Sequence, residues 1–420
     1  LSTNGTSAGT SAGVPAGAAS DISVVICVYT EDRWEDILAA VASVRAQTRP
    51  ARETLLVVDH NPALLDRLAK EYKEVDEVRV LPNAGPRGLS AGRNTGVAAS
   101  HGEIIAFLDD DAVAERDWLR RFADPYSDPR VMAVGGRAVP VWSSGRRPDW
   151  FPEEFDWVVG CSYRGLPSGR VRVRNILGGN ASFRREAFDI AGGFATGIGR
   201  DGDKRPLGGE ETELCIRLSR ARPDAILLVD DRAVIHHKVP EAREHFAYFR
   251  TRTYAEGLSK ALVARSVGAD KGLESERRYT TRVLPAGVAR GLRDQLLGRS
   301  GGARRAGAIV AGVLTAAGGY VVGSVRARRN GTTFSVVQIG EGADGTAEET
   351  GSPADAGTAR AGALADTGAT GLLADTGATG GAGSLTGVGT AEAIQPPGGP
   401  EAAARAVGTG PTPPEVEGAA

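Results

Sequence analysis

Cysteine is almost missing from this 420-residue chain: Cys27, Cys161 and Cys215 are the only three, widely separated and without a C-x-x-C pair. An odd, scattered set argues against a disulfide framework and against a zinc site, and fits a reducing compartment. Residues 1–20 are mostly Ala, Gly, Ser and Thr, with neither the charged n-region nor the apolar h-region of a signal peptide; they read as a disordered leader. Lysine is scarce beside arginine, and no dense basic patch of the kind that binds nucleic acid occurs, so no nucleic-acid partner is expected. The formal charge of −2 hides an asymmetry: from Gly331 onward eleven acidic residues stand against two basic ones, about −9, which leaves about +7 for residues 1–330. A mildly basic body suits a polyanionic ligand or an anionic membrane surface.

What is present begins with alternation of strand and helix patterns over 21–140. Ile22–Val28, Thr54–Asp59, Glu77–Leu81 and Glu103–Leu108 are short apolar runs, the mark of strands covered on both faces. Helical spacing separates them, over Trp34–Val44, Ala63–Glu71 and Leu89–Ala99. This βαβαβαβ order predicts a parallel, Rossmann-related α/β sheet whose ligand sits outside the carboxyl ends of the strands. Tyr29–Glu31, Asp59 and Asp109–Asp111 occupy those ends. Further on, the patterns suggest an apolar run at Val131–Val141, a strand-like stretch over 171–177, and helices over Arg184–Ile190 and Glu210–Arg220. A strand pair over Ala225–His236 and an amphipathic helix from Glu241 to about Ala264 follow.

Several of these residues carry chemistry. Three adjacent carboxylates, Asp109-Asp110-Asp111, repel one another at a strand end, and a divalent cation such as Mg²⁺ or Mn²⁺ removes that cost. An acidic turn capping the next helix explains an isolated triplet as well, but not one in line with Asp59. Arg87 to Gly96 (RGLSAGRNTG) offers glycines, a helix N-terminus and two arginines, Arg87 and Arg93, to a diphosphate; a plain loop packed through small residues is the bland alternative. Glu210 and Glu211 open a helix, either as a general base or as simple dipole complements. His236-His237 closes a strand, so at most one of the two faces the crevice, as metal ligand, phosphate contact or core histidine. Gly178-Gly179-Asn180 reads as a turn with a polar side chain free for sugar hydroxyls, or as an ordinary turn.

Taken in order, SVVICVYTEDR, LLVVDH, RGLSAGRNTGVAAS-HGEIIAFLDDDA, GGNASFRREAF…GGF and GGEETELCIRLSRA…DDRAVIHHKVP resemble the elements of family 2 glycosyltransferases over about residues 21–260. The stretch AYFRTRTYAEGLSKA is similar to bacterial, actinobacterial-type members. The resemblance implies a GT-A fold and inverting sugar transfer from a UDP-, GDP- or dTDP-sugar to an unidentified acceptor hydroxyl. It implies that Tyr29 and Glu31 border the nucleobase and that Asp59 reads it. Arg87 and Asn94 would lie by the diphosphate. Asp109 and Asp110 would touch the donor, and Asp109 and Asp111 would form the D-x-D pattern, with Asp111 on the metal. Asn180 would sit near the donor sugar or the acceptor. Glu211 takes the place of the usual base, with Glu210 as the other candidate. One of His236 and His237 would join the metal. Asp59-His60-Asn61 departs from the family's usual loop after the second strand.

The chain is thus expected to divide into a leader (1–20), a transferase domain (21–240), a C-terminal helical region (241–330) and a disordered acidic tail (331–420) that holds a twofold LADTGATG repeat. Within the helical region, 306–325 is uncharged, flanked by arginines and half Ala or Gly. It is either a membrane-contacting helix or a small-residue soluble one. A cytoplasmic location, at the inner face of the membrane in the first case, follows. Two rival functions share the sheet. A nucleotidylyltransferase would place a Gly-rich phosphate loop after the first strand, where Tyr29-Thr30-Glu31-Asp32 stands. A silent binding protein would have lost the aspartates, which are present.

Overall fold

The computed structural model describes residues 21–196, 208–267, 278–330 and 336; the leader and, save that one residue, the acidic tail lie outside the described residues. Strands β1 (Ile22–Val28) and β2 (Glu53–Val58) are buried almost throughout. Val24, Ile26, Val28, Leu56 and Val58 join one core cluster, and Val25, Leu55 and Val57 the other. Successive strand side chains point to opposite faces, so a strand apolar at every position is covered on both sides. Helices α1 (Trp34–Arg45), α2 (Pro62–Glu71) and α3 (Leu89–Ala99) supply that cover between β1, β2, β3 (Val78–Pro82) and β4 (Ile104–Leu108). Asn61 starts α2 by accepting the Leu64 N–H at 3.0 Å, with Pro62 at the first helical position.

β1 pairs in parallel with β2 and β4, and β2 with β3. The strand order β3-β2-β1-β4 reverses direction between β1 and β4, and that reversal opens a crevice at their carboxyl ends. The later strands are β5 (Ala112–Ala114), β6 (Val131–Trp142), β7 (Arg170–Arg172), β8 (Asn180–Arg184) and β9 (Ile226–Val239). β8 runs antiparallel to β4 and β6, β6 runs parallel to β9, and β5 and β7 pair antiparallel with β9. The parallel character expected of the whole sheet therefore belongs to its first half, and the nine strands together form a mixed α/β sheet. Helices α4 (Trp118–Ala123), α5 (Arg185–Ala191) and α6 (Glu210–Ala221) flank it.

Three local expectations shift. The strand pair over 225–236 is one strand, β9. Its polar Asp230 does not turn the chain, because the carboxylate is fully buried and held by the Arg170 and Arg232 Nε atoms, each at 2.9 Å. The 171–177 stretch is strand only through Arg172. The helix expected from Glu241 starts as a tight 3-10 turn, Glu241–Arg243, before α7 (Phe246–Val267). Helices α8 (Leu284–Leu296) and α9 (Gly302–Asn330) follow. Phe249 of α7, Leu284 of α8 and Ile309 of α9 belong to the same buried cluster as β1, so the C-terminal helices share the core of the sheet.

Candidate active site

Asp109, Asp110 and Asp111 fill the link between β4 and β5. β5 then zips antiparallel along β9, with Ala112 opposite His237 and the Lys238 N–H donating to the Asp111 carbonyl at 2.9 Å. That register brings His237 to the aspartates. Its Nε2 lies 3.2 Å from Asp111 Oδ1 and 3.8 Å from Asp109 Oδ2. Ligand atoms of Asp109, Asp111 and His237 all fall within 4.8 Å of one another. Strand parity sends His236 the other way, 3.2 Å from Glu115 on an exposed flank. Of the two histidines, His237 is the one in the crevice. Gly179 backs the cluster: a Cβ there would stand 2.2 Å from Asp109 Oδ2, so only glycine leaves room for that carboxylate.

Three guanidinium groups surround the aspartates. Arg33, in the turn after β1, bonds Asp110 and lies 3.0 Å from Asp111 Oδ2. Arg243, in the turn before α7, is 3.9 Å from the same oxygen. Arg93 of α3 is buried over the Phe107 and Phe194 rings; it donates to Glu210 Oε1 at 2.8 Å and reaches Asp109 at 3.9 Å. Arg93 therefore ties the aspartates to the start of α6, where Glu210 and Glu211 stand. Five carboxylates face three arginines, an excess of two negative charges when all five are ionised. Burial, opposed by Arg33 and reinforced by Asp111 and Asp109, raises the Asp110 carboxyl to about 7. Burial and then Glu210 raise Glu211 to about 8. Asp110 Oδ2 and His237 Nδ1 are buried without a hydrogen-bond partner. A hard divalent cation fits this set of two carboxylates and an imidazole, and would relieve its charge excess.

The remaining sequence candidates separate into two groups. Tyr29 is 43% exposed at the end of β1 with the Arg33 guanidinium over its ring, and Glu31 and Arg87 are exposed near it in the chain or at the α3 entry. Asp59, at the end of β2, accepts the Gly88 N–H at 3.0 Å and the Asn83 amide at 2.7 Å, and so pins the loop that leads into α3. His60 beside it has φ 52°, a left-handed conformation unusual outside glycine. Asn94 and Asn180 point inward. The Asn94 amide is clamped to the Phe194 backbone in both directions, at 2.9 and 2.8 Å. Asn180 is 2% exposed; it accepts from the Trp118 indole at 2.7 Å and donates to the Arg137 and Ala233 carbonyls at 3.0 Å each. The expected free side chain after the glycine turn is thus corrected: β8 begins at Asn180, and pairing with β4 turns it under the sheet. Asn180→Ala strands one N–H and two carbonyls in the core and is expected to cost about 2–4 kcal/mol in a denaturant melt. A loss under about 1 kcal/mol contradicts this account.

Arg33 and Arg243 are site residues that the sequence reading does not single out. Arg33 sits at a strand end, where the crevice rule places ligands, and is legible on that ground alone. Arg243 has no local signal, since only the path of β9 into α7 carries it there.

Residues 23–190 match the family model described as Glycosyl transferase family 2. A glucosyl-dolichyl phosphate glucuronosyltransferase of Haloferax volcanii is 38% identical over 243 residues, covering 58% of this chain and 77% of that protein. A pre-mycofactocin glycosyltransferase of Mycobacterium tuberculosis is 30% identical over 158 residues, covering 36% of this chain and 32% of that protein. Among solved structures, the mannosyltransferase PcManGT from Pyrobaculum calidifontis in complex with GDP-Man and Mn²⁺ aligns with a TM-score of 0.44 and 16% identity, over 71% of this chain and 89% of that one.

Proposed function

This chain belongs to glycosyl transferase family 2, and from that premise we propose that it moves a sugar from a nucleoside-diphosphate sugar to an acceptor hydroxyl, with inversion at the anomeric carbon and in a metal-dependent reaction. The observation that carries the reading is the pairing of an Asp109–Asp111–His237 cluster with a glutamate pair across the Arg93 bridge. Asp109, Asp111 and His237 would hold Mg²⁺ or Mn²⁺. A bound cation of that kind supplies charge stabilisation to the departing diphosphate.

The chain's own residues do the rest. Arg33 and Arg243 offer positive charge beside Asp111, where the leaving diphosphate gathers negative charge. Tyr29, Glu31 and Asp59 border the nucleoside, with Asp59 shaping the loop through Gly88. Glu210 is held by Arg93 as that arginine's counter-charge, which leaves Glu211 to take the acceptor's proton. A carboxyl raised to about 8 is a strong enough base near neutral pH to do so. Attack from the Glu211 side, opposite the diphosphate, inverts the sugar. We place the reaction on the cytoplasmic side, at the inner face of the membrane.

A thermal-shift panel of UDP-, GDP- and dTDP-sugars tests the donor class. One nucleotide is expected to raise Tm with Mn²⁺ and to do little without it; at a hundredfold excess over Kd the stabilisation amounts to about 2.7 kcal/mol. If no member of the panel moves Tm in Mn²⁺, the donor assignment fails.

A further inference from the structure

Helix α9 is long and apolar enough to cross a bilayer between Gly302 and Arg326, with a mean hydropathy of 1.8 over an 18-residue window of which 28% is buried against the protein. Its buried side is a row of small residues. Gly312 lies on Phe155 and Phe249, both core residues, and Gly319 and Gly323 lie on α7. A Cβ at Gly319 would stand 2.1 Å from the Tyr254 carbonyl, so the two backbones touch. α7 in turn carries Arg250, Arg252, Glu256 and Lys260, with Arg252 and Lys260 paired to Glu256. Spanning a membrane would require α9 to leave the core or to drag those charges into hydrocarbon.

The opposite side of α9 is different. Val310, Leu314, Val321 and Val325 are between 48% and 67% exposed and recur at helical spacing, with exposed Ala317 between them. This stripe is about 22 Å long and holds no charge. The surroundings are strongly basic: residues 278–330 contain ten arginines and one acidic residue, Asp294. Arg282, Arg293, Arg304 and Arg326 are exposed. An uncharged stripe within an arginine-rich segment matches the boundary between acyl chains and anionic headgroups.

We propose that the exposed face of α9 docks flat on an anionic phospholipid bilayer, with the exposed Arg293, Arg304 and Arg326 on the headgroups. This deepens the membrane-face reading above and is independent of the sugar chemistry, since vesicle binding and donor binding are separate measurements. In co-sedimentation, the full chain is expected to bind phosphatidylglycerol/phosphatidylcholine vesicles, to ignore pure phosphatidylcholine, and to be released by high salt or by an alkaline carbonate wash. Leu314→Glu with Val321→Glu is expected to weaken binding by about tenfold or more without lowering Tm. The pair Leu314→Ser and Val321→Ser serves if the glutamates disturb the helix. Unchanged binding by the variants, equal binding to neutral vesicles, or retention after carbonate overturns the proposal. So does self-association that the double variant abolishes while vesicles bind nothing, because the stripe then serves a second copy of the chain.

Discussion

Asp111→Ala is expected to remove Mn²⁺-dependent release of nucleoside diphosphate from the donor, by at least about a hundredfold, while the chain stays folded. Asp111 gives one oxygen toward His237 at 3.2 Å and the other toward Arg33 at 3.0 Å, so it is the residue where the imidazole and the guanidinium meet. Without it Asp109 and His237 remain 3.8 Å apart, too few donors for a tightly held cation. Stability is spared for a separate reason. Arg33 keeps Asp110, and deleting one of three adjacent carboxylates relieves like-charge repulsion. The experiment is donor hydrolysis with titrated Mn²⁺, with Tm as the folding control. Wild-type turnover at low Mn²⁺ in the variant would falsify the metal role.

Glu211→Gln is expected to carry the second large effect: transfer should fall by about a hundredfold or more while the donor-induced thermal shift survives. The amide keeps the shape at the start of α6 and cannot accept a proton. Glu210 cannot take over, because its carboxylate is committed to Arg93 at 2.8 Å in a buried pair. The pH dependence has a definite sign. Burial raises Glu211 from the ordinary 4.5 to about 8 in the folded chain. The base form, and with it kcat/KM, therefore rises with pH toward a plateau above about 8. Stability runs the other way. Between those two values the unfolded chain has released the proton and the folded chain still holds it, so the group's contribution to stability falls as pH rises from 4.5 to about 8. Glutamine has nothing to release, so the donor-free variant is expected to melt above wild type at pH 8 and level with it near pH 4. Unchanged transfer by the variant, or a flat pH profile in wild type, removes Glu211 from the role.

Much of this site is written locally. Strands buried on both faces announce themselves as unbroken apolar runs, and their ends place Tyr29, Asp59 and the aspartate triplet along one edge of the sheet. Parity along β9 limits the histidines to one in the crevice. The choice of His237 needs the register against β5, a long-range pairing that no window of sequence holds. Asn180 shows the converse. A glycine turn beside a polar residue looks like an exposed contact, yet a buried Trp118 indole and two carbonyls leave the amide no other place. Asn94 follows the same logic, since its partner Phe194 lies 100 residues away. Residues that join distant segments are chosen by three-dimensional neighbours, and these the local pattern does not encode.

β9 has a mechanical consequence. The strand that carries His237 runs on through Val239 and the Arg243 turn into α7, and α7 is in backbone contact with α9 at Gly319. Among the described residues, the path from His237 to the outer stripe runs through paired strand, a 3-10 turn and packed helices. With α9 on a bilayer as proposed, that path would set the height of the Asp109–Asp111–His237 cluster above the surface, as in a depth gauge. Acceptors whose reactive hydroxyl rises to that level would then be served, and those anchored too short or too long would be sorted out before any chemistry begins.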